Sequence, residues 1–238
     1  MNDATRPMLH VLSAGAARTI VQSIHDSGFG DGRQGAFEAG FGPVGAIREL
    51  FLAGEPCDVL ILSRSAIDDL AAGGFVDRAT VAALGGVSTG LAVRELTDPP
   101  VIDDESSLRS CLLAADSIHV PDRHKSTAGA HVAQVLERLG VGDAIADRLH
   151  EHPSGTIAME ELARSAGSAI GCTQVTEILE AAGVTLVGPF PPGFELTTEY
   201  AGAITTRATN HALAAAFLGV LTGDATAGAR RRAGFEID

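Results

Sequence analysis

The sequence has no tryptophan, a single tyrosine and only 4% aromatic residues. A core without large flat side chains must be filled by aliphatic residues and alanine, as helices packed on Val- and Ile-rich strands provide. Positive charge is also scarce: 17 Lys and Arg stand against 30 Asp and Glu, a formal net charge of −13. That balance excludes a general nucleic-acid binder, which needs a broad basic surface, and argues against an anionic membrane surface. It still permits one small anion held by local donors. The three cysteines, Cys57, Cys111 and Cys172, are widely spaced and form no CxxC pair. Each lies in an apolar stretch and reads as a buried free thiol. No run of about 18 apolar residues occurs, so no membrane insertion is expected. The opening MNDATRPMLHVLSAGAARTI lacks a basic segment followed by a long apolar one, and on that ground a cytoplasmic chain is expected. There is no Walker pattern, no GxGxxG opening a helix after a strand, and no Gly-x-Ser-x-Gly elbow. The glycine-rich stretches 28–42 and 72–90 therefore read as turns, and no nucleotide cofactor is expected. His10, His25, His119, His131, His150, His152 and His211 are scattered without HExxH or paired metal spacing, so no metal site is expected.

What is present is an alternation of strand and helix. Short apolar runs at 8–14, 35–42 and 57–63 alternate with helical spacing at 17–29, 43–54 and 66–74. The second of these helices opens on Pro43 and closes before Gly54, the usual asymmetry of helix ends. Beyond Ser88, strands are expected at STGLAVRE, 116–122, 168–174, 184–190 and 197–207. Helices are expected at 103–115, 127–140, 141–152, 175–183 and 210–221. Repeated strand–helix units imply a mostly parallel sheet covered by helices, with ligands at the carboxyl ends of strands.

Four strand-to-helix junctions are rich in small or hydroxyl residues: Ser13-Ala14-Gly15, Gly42-Pro43-Val44-Gly45, Ser126-Thr127-Ala128-Gly129 and Thr173-Gln174-Val175-Thr176. Small residues let backbone amides approach a ligand, and helix N-termini favour anions. The third junction is preceded by Arg123, His124 and Lys125, a concentration of positive charge unusual in so acidic a chain. As residues alone, these three also fit a solvated loop, Ser13 fits a helix cap, and Thr173 and Gln174 fit capping of the following helix.

The four junctions, in this order, resemble the molybdate-binding branch of the type II periplasmic-binding-protein superfamily, whose relatives include aconitate isomerase. The resemblance runs from LSAGAA through FGPVGAIRELFLAGEPCDVLILS, STAGAHVAQVLERLG and AIGCTQVTEIL to the C-terminal ALAAAFLGVL and RRRAGFEI. It implies an α/β Venus-flytrap fold with parallel-rich sheets, lobe 1 from 1–84 plus 195–238 and lobe 2 from 85–194. It also implies a small anionic ligand in the interlobe cleft. Ser13 matches the family's first ligating serine. The second falls at Val44, which has no hydroxyl, and the ligating tyrosine of the fourth loop falls at Gln174. The ligand contacts implied are Ser13, Ala14, Val44, Gly45, Ser126, Thr127, Ala128, Thr173 and Gln174; Arg64, just after the 57–63 strand, and Arg123 of the basic loop depart from the family's cation-free site and are added as residues able to reach a ligand carboxylate.

Loss of one hydroxyl and gain of cations suggest a di- or tricarboxylate, which Arg pairs bidentately. The leading expectation is thus a cofactor-independent isomerase that shifts a double bond by a 1,3-proton transfer. His124 would be the proton carrier, Lys125 and Arg123 would stabilise charge, and Glu199 and Tyr200 would stand as further carriers. The alternative is a molybdate, oxyanion or carboxylate solute-binding protein, partnered by transporter subunits, or a ligand sensor. The family likeness gives Asp58 a structural or hinge-facing role.

Overall fold

The computed structural model describes residues 8–29 and 36–237. The strands are β1 (Met8–Ala14), β2 (Ala36–Gly42), β3 (Val59–Ser63), β4 (Ala82–Arg94), β5 (Ser117–Pro121), β6 (Leu149–His152), β7 (Ala169–Gln174), β8 (Val184–Pro189) and β9 (Thr197–Ile204). The α-helices are α1 (Arg18–Asp26), α2 (Val44–Leu52), α3 (Arg64–Ala72), α4 (Glu105–Ala114), α5 (Thr127–Arg138), α6 (Gly142–Ile145), α7 (Gly155–Arg164), α8 (Val175–Glu180), α9 (His211–Thr222) and α10 (Asp224–Arg232). Part of the first glycine-rich stretch, 30–35, lies outside the described residues. The chain forms two compact units, Met1–Gly86 with Glu199–Asp238, and Val87–Thr198.

In the first unit, β1 pairs in parallel with β2 and with β3, and β9 closes antiparallel onto β3. All of β3 is buried, as a strand covered on both faces requires. Leu12, Leu60 and Leu62 pack with Ile47 and Phe51 of α2 and Ile67 and Leu70 of α3. Each such side chain stabilises the fold by roughly 1.5–3 kcal/mol. Phe37 meets Phe217 of α9 edge-on at 5.0 Å. Gly202 admits α9 closely, since a Cβ there would stand 2.7 Å from Leu218 Cδ1. The buried Asp58 accepts from the amides of His10 at 2.8 Å and Thr209 at 2.6 Å, tying β1 to the segment before α9. That is the structural role expected of it.

In the second unit the strand order is β8-β4-β7-β5-β6, with β5 parallel to β6 and β7, and β4 antiparallel to β7 and β8. Leu91, Ile118, Val120 and Ile170 of the sheet bury against Leu108 and Leu112 of α4 and Val132, Val135 and Leu136 of α5. Ala92 and Ala169 bury against Ala158, Met159 and Leu162 of α7 and Ile178 of α8.

The helix expected over 141–152 is wrong beyond Ile145. Residues 149–152 form β6, with Ile118 opposite Leu149 and Pro121 opposite His152. Pro153 disfavours a helical conformation at His152. Among the described residues no single helix is long and apolar enough to cross a membrane. The bent pair α9–α10 has the combined length, but α9 buries Leu213, Phe217 and Leu221 in its own unit, and α10 ends in three arginines.

Candidate functional site

The loop after β5 is shaped by Asp122. Its Oδ1 accepts from the amides of His124 at 2.7 Å and Lys125 at 2.9 Å. These amides, His124 first, hold its carboxyl below the ordinary aspartate range, and the nearby cations reinforce them. Ser126 then caps α5 by accepting from the Gly129 amide at 3.2 Å. Gly129 is obligatory here: a Cβ would lie 2.4 Å from the carbonyl oxygens of both Pro121 and Asp122.

The basic triplet is exposed. Arg123 is not a free cation, because its guanidinium binds Glu151 on β6, Nε to Oε1 at 2.7 Å, with a second, shorter contact through Nη2. This hydrogen bond lowers the Glu151 carboxyl and raises the guanidinium. Arg64 is likewise occupied, its Nε 3.0 Å from both carboxylate oxygens of Asp68 one helical turn away.

A different cluster lies at the carboxyl end of β7. Gln174 is 3% exposed. Its Nε2 lies 3.3 Å from the Thr127 hydroxyl, at the start of α5, and 3.3 Å from the Thr198 hydroxyl. Its Oε1 is buried without a protein partner. Turning the amide over exchanges its two ends and leaves the other unpaired. Directly opposite Gln174 in the β4–β7 register is the fully buried Thr89, whose hydroxyl is also unpartnered, as is that of buried Thr176. A buried polar group left unpaired costs about 1–3 kcal/mol. Several together mark a place built to meet something polar. The unpaired Thr89 and Thr176 hydroxyls can donate to oxygens, whereas Gln174 Oε1 accepts; only with the amide turned, so that Oε1 takes the Thr127 and Thr198 protons, does Gln174 present N–H donors at its unpaired end.

Thr173 behaves differently. Its hydroxyl donates to buried Glu177 at 2.5 Å. The same carboxylate fills the space where a Cβ of Gly155 would stand, at the start of α7. Ala128 is buried behind the α5 terminus.

In the first unit, Ser13 and Ala14 are buried at the end of β1, and Ser13 Oγ donates to the Ala14 carbonyl at 3.0 Å, so Ser13 is not a side-chain helix cap. Val44 and Gly45 open α2, whose N-terminus carries no side-chain cap. Of the further carriers, Glu199 is exposed, and Tyr200 is buried with its ring edge-on to Phe235 at 6.3 Å.

Thr176 belongs to the fourth junction, but the sequence gives no sign of Thr89 or Thr198. Only the β4–β7 register and the Gln174 amide place Thr89 and Thr198 with it. The histidines were also read as scattered, yet His119, His150 and His152 stack together on β5 and β6. His131 has a structural partner, the Phe194 carbonyl at 2.7 Å. Burial pushes the Cys57 thiol up to about 12 and Cys111 to about 11, and raises Cys172 as well, so none is a ready nucleophile. A surface cavity of about 830 Å³ on the second unit is lined by Val120, Val132, Leu136, Leu149, Arg123 and Glu151 among others, and excludes the Gln174 cluster.

The fold is the mixed α/β fold of type II periplasmic binding proteins. It is similar to the periplasmic molybdate-binding protein of Azotobacter vinelandii, with TM-score 0.80 and 19% identity over 97% of this chain and 99% of that one. The sulfate-binding protein of Mycobacterium tuberculosis is similar at TM-score 0.74 and 16% identity, over 96% and 86%. Residues 9–236 match the bacterial extracellular solute-binding protein family, and the chain belongs to that family. The expected cytoplasmic location finds no support in a family described as extracellular. A curated relative, aconitate isomerase from a Pseudomonas species, is 26% identical over 177 residues, 73% of this chain. The match spans 64% of that relative's length.

Proposed function

We propose that this chain is a solute-binding protein for a small anion rich in hydrogen-bond acceptors, an oxyanion or a compact carboxylate. With the amide turned so that Oε1 accepts from the Thr127 and Thr198 hydroxyls, Gln174 Nε2 is the anion's neutral donor, with the Thr89 hydroxyl beside it, and Thr127 and Thr198 hold the amide in place. The observation that carries this is the buried Gln174 amide, held by two threonine hydroxyls and unpaired at its other end. Neutral donors suit an anion whose charge is spread over several oxygens, because each oxygen then receives its own hydrogen bond. Ser126 and Ala128 are assigned as framing the α5 terminus. Arg64, Arg123 and Thr173 take secondary roles, since each is engaged within the protein. The macromolecular partner on this reading is the membrane part of an importer.

The test is a thermal-shift panel of molybdate, tungstate, sulfate and saturated and unsaturated di- and tricarboxylates. A ligand at a hundred times its Kd stabilises by about 2.7 kcal/mol, which raises Tm by roughly 5–10 °C in a chain of this size. A flat response to every anion would overturn the proposal.

One observation favours a second reading, the alignment with aconitate isomerase across most of this chain. Isomerisation requires a proton carrier at the bound carboxylate. His124 and Lys125 are exposed, and Asp122 binds the backbone amides of both. Incubation of the purified chain with an aconitate isomer, followed by proton NMR, decides this: a moved double bond establishes the isomerase, and an unchanged spectrum with bound ligand leaves the solute-binding reading.

A further inference from the structure

β6 is the edge strand of the second unit's sheet and carries two histidines on one face. His150 stands opposite His119 of β5 in the parallel register, and their ring centres are 5.3 Å apart. The His152 ring centre lies 5.2 Å from that of His119, with the ring planes 19° apart. The Nδ1 of His119 is 3.0 Å from the Nε2 of His152. The Nε2 of His119 is 2.8 Å from the Ser165 hydroxyl and 3.2 Å from that of Ser117.

The hydrogens of this chain can be assigned. The Ser165 hydroxyl donates its one proton to the Glu161 carbonyl, 2.8 Å away, and therefore accepts from His119 Nε2. His119 is then neutral with Nδ1 as acceptor, and His152 must donate from Nε2. One added proton is accommodated by a change of tautomer on His152. A second leaves two cationic rings edge to edge, with a proton on each of the facing nitrogens 3.0 Å apart and no acceptor between them.

The same strand holds the loop of the candidate site. The Asp122 amide donates to the His152 carbonyl at 2.7 Å, and Arg123 binds Glu151. We propose that His119, His150 and His152 form an acid-sensitive latch that fastens β6, and through it the loop Asp122–Ser126, to the sheet. Acid opens the latch by driving the second proton onto the His119–His152 pair. The groups that bear on it are His150 and His152 from β6 and Glu161 from α7. Glu161 opposes the effect, but it is already paired with Arg164 at 2.7 Å. Residues 169–171 of β7, on the other side of β5, carry no ionisable side chain.

Burial first, then the charges of His152 and His150, depress His119 from 6.5 to about 4, and His152 is lowered as well. A histidine depressed in the folded state contributes stability above its unfolded pKa and loses it as pH falls from 6.5 toward about 4. That is the window in which the latch opens.

The consequence for anion affinity rests on the solute-binding reading; the latch does not. The test is hydrogen exchange of the full chain between pH 7.5 and 4.5, corrected for intrinsic rates. The Asp122 amide and the β6 amides should lose protection at least tenfold, while β7 amides stay protected. In His152→Gln, which keeps a donor without a titrating ring, that selective loss should vanish. An equal loss in the variant, or none in the parent, would overturn the latch. A parent-only NMR titration supplies a check that needs no variant: the His119–His152 pair should take one proton before the second, and two independent titrations near 6.5 would also overturn it. If no anion binds at any pH while exchange behaves as expected, the solute-binding reading fails and the latch stands.

Discussion

Replacing Gln174 by methionine separates a ligand-binding amide from a structural one. In the unliganded protein the amide contributes two long hydrogen bonds of 3.3 Å to neutral hydroxyls, each worth about 0.5–1 kcal/mol. Against them stands its unpaired buried end, which costs about 1–3 kcal/mol. Methionine has a similar length, fills the space and carries no such penalty. The opposing terms nearly cancel, so stability should change by no more than about 1 kcal/mol and can rise. Binding should behave otherwise. A hydrogen bond to an ionised oxygen is worth about 1.5–3 kcal/mol, so Kd should weaken roughly 10- to 100-fold. Urea unfolding, with midpoint and slope both fitted, measures the first quantity. Titration calorimetry with whichever anion raises Tm measures the second. A loss of more than about 3 kcal/mol in stability with affinity intact would refute the reasoning and make Gln174 part of the scaffold.

Gly129→Ala should destabilise by about 1–3 kcal/mol and weaken anion binding together, because its Cβ would collide with the backbone carbonyls of Pro121 and Asp122; urea unfolding and calorimetry report both. Asp58→Ala should cost about 2–5 kcal/mol in urea unfolding, since the amides of His10 and Thr209 lose their acceptor. His124→Ala should leave anion affinity within about twofold, because the exposed ring is not what Asp122 holds; a fall of about 100-fold in turnover, measured on an aconitate isomer, would instead identify a proton carrier.

Much of the fold is legible in the sequence because its signals are local. Val59–Leu62 reads as a buried strand from composition alone, and Pro43 and Ser126 punctuate helix starts as they do in the structure. The segment 141–152 misleads because a four-residue edge strand has too short a pattern to outweigh helical spacing, and its identity is fixed by pairing with β5. The candidate site is less legible for a related reason. Gln174 and Thr127 lie at junctions and can be found locally. Thr89 becomes relevant only through the antiparallel register that sets it opposite Gln174, and Thr198 only through contact. Likewise His119 lies far along the chain from His150 and His152, and parallel pairing brings them together.

The positive charge ahead of α5 has a local explanation. Arg123 is neutralised by Glu151, and Asp122 sits beside His124 and Lys125, binding their amides and drawn down by their charge. Charge balance in this loop is therefore substantially internal, as an acidic chain of net −13 permits. An exposed pair of this kind contributes under about 1 kcal/mol to stability. Its use is to help hold the loop in register with β6, beside the hydrogen bond from the Asp122 amide to the His152 carbonyl. On the proposed reading, selectivity for an anion then comes from neutral hydroxyl, amide and backbone donors. Such donors cannot hold an arbitrary anion, because they compensate its lost hydration only when each oxygen finds its own partner. That requirement favours compact ligands with several oxygens and works against chloride, which offers one centre where the cluster offers several.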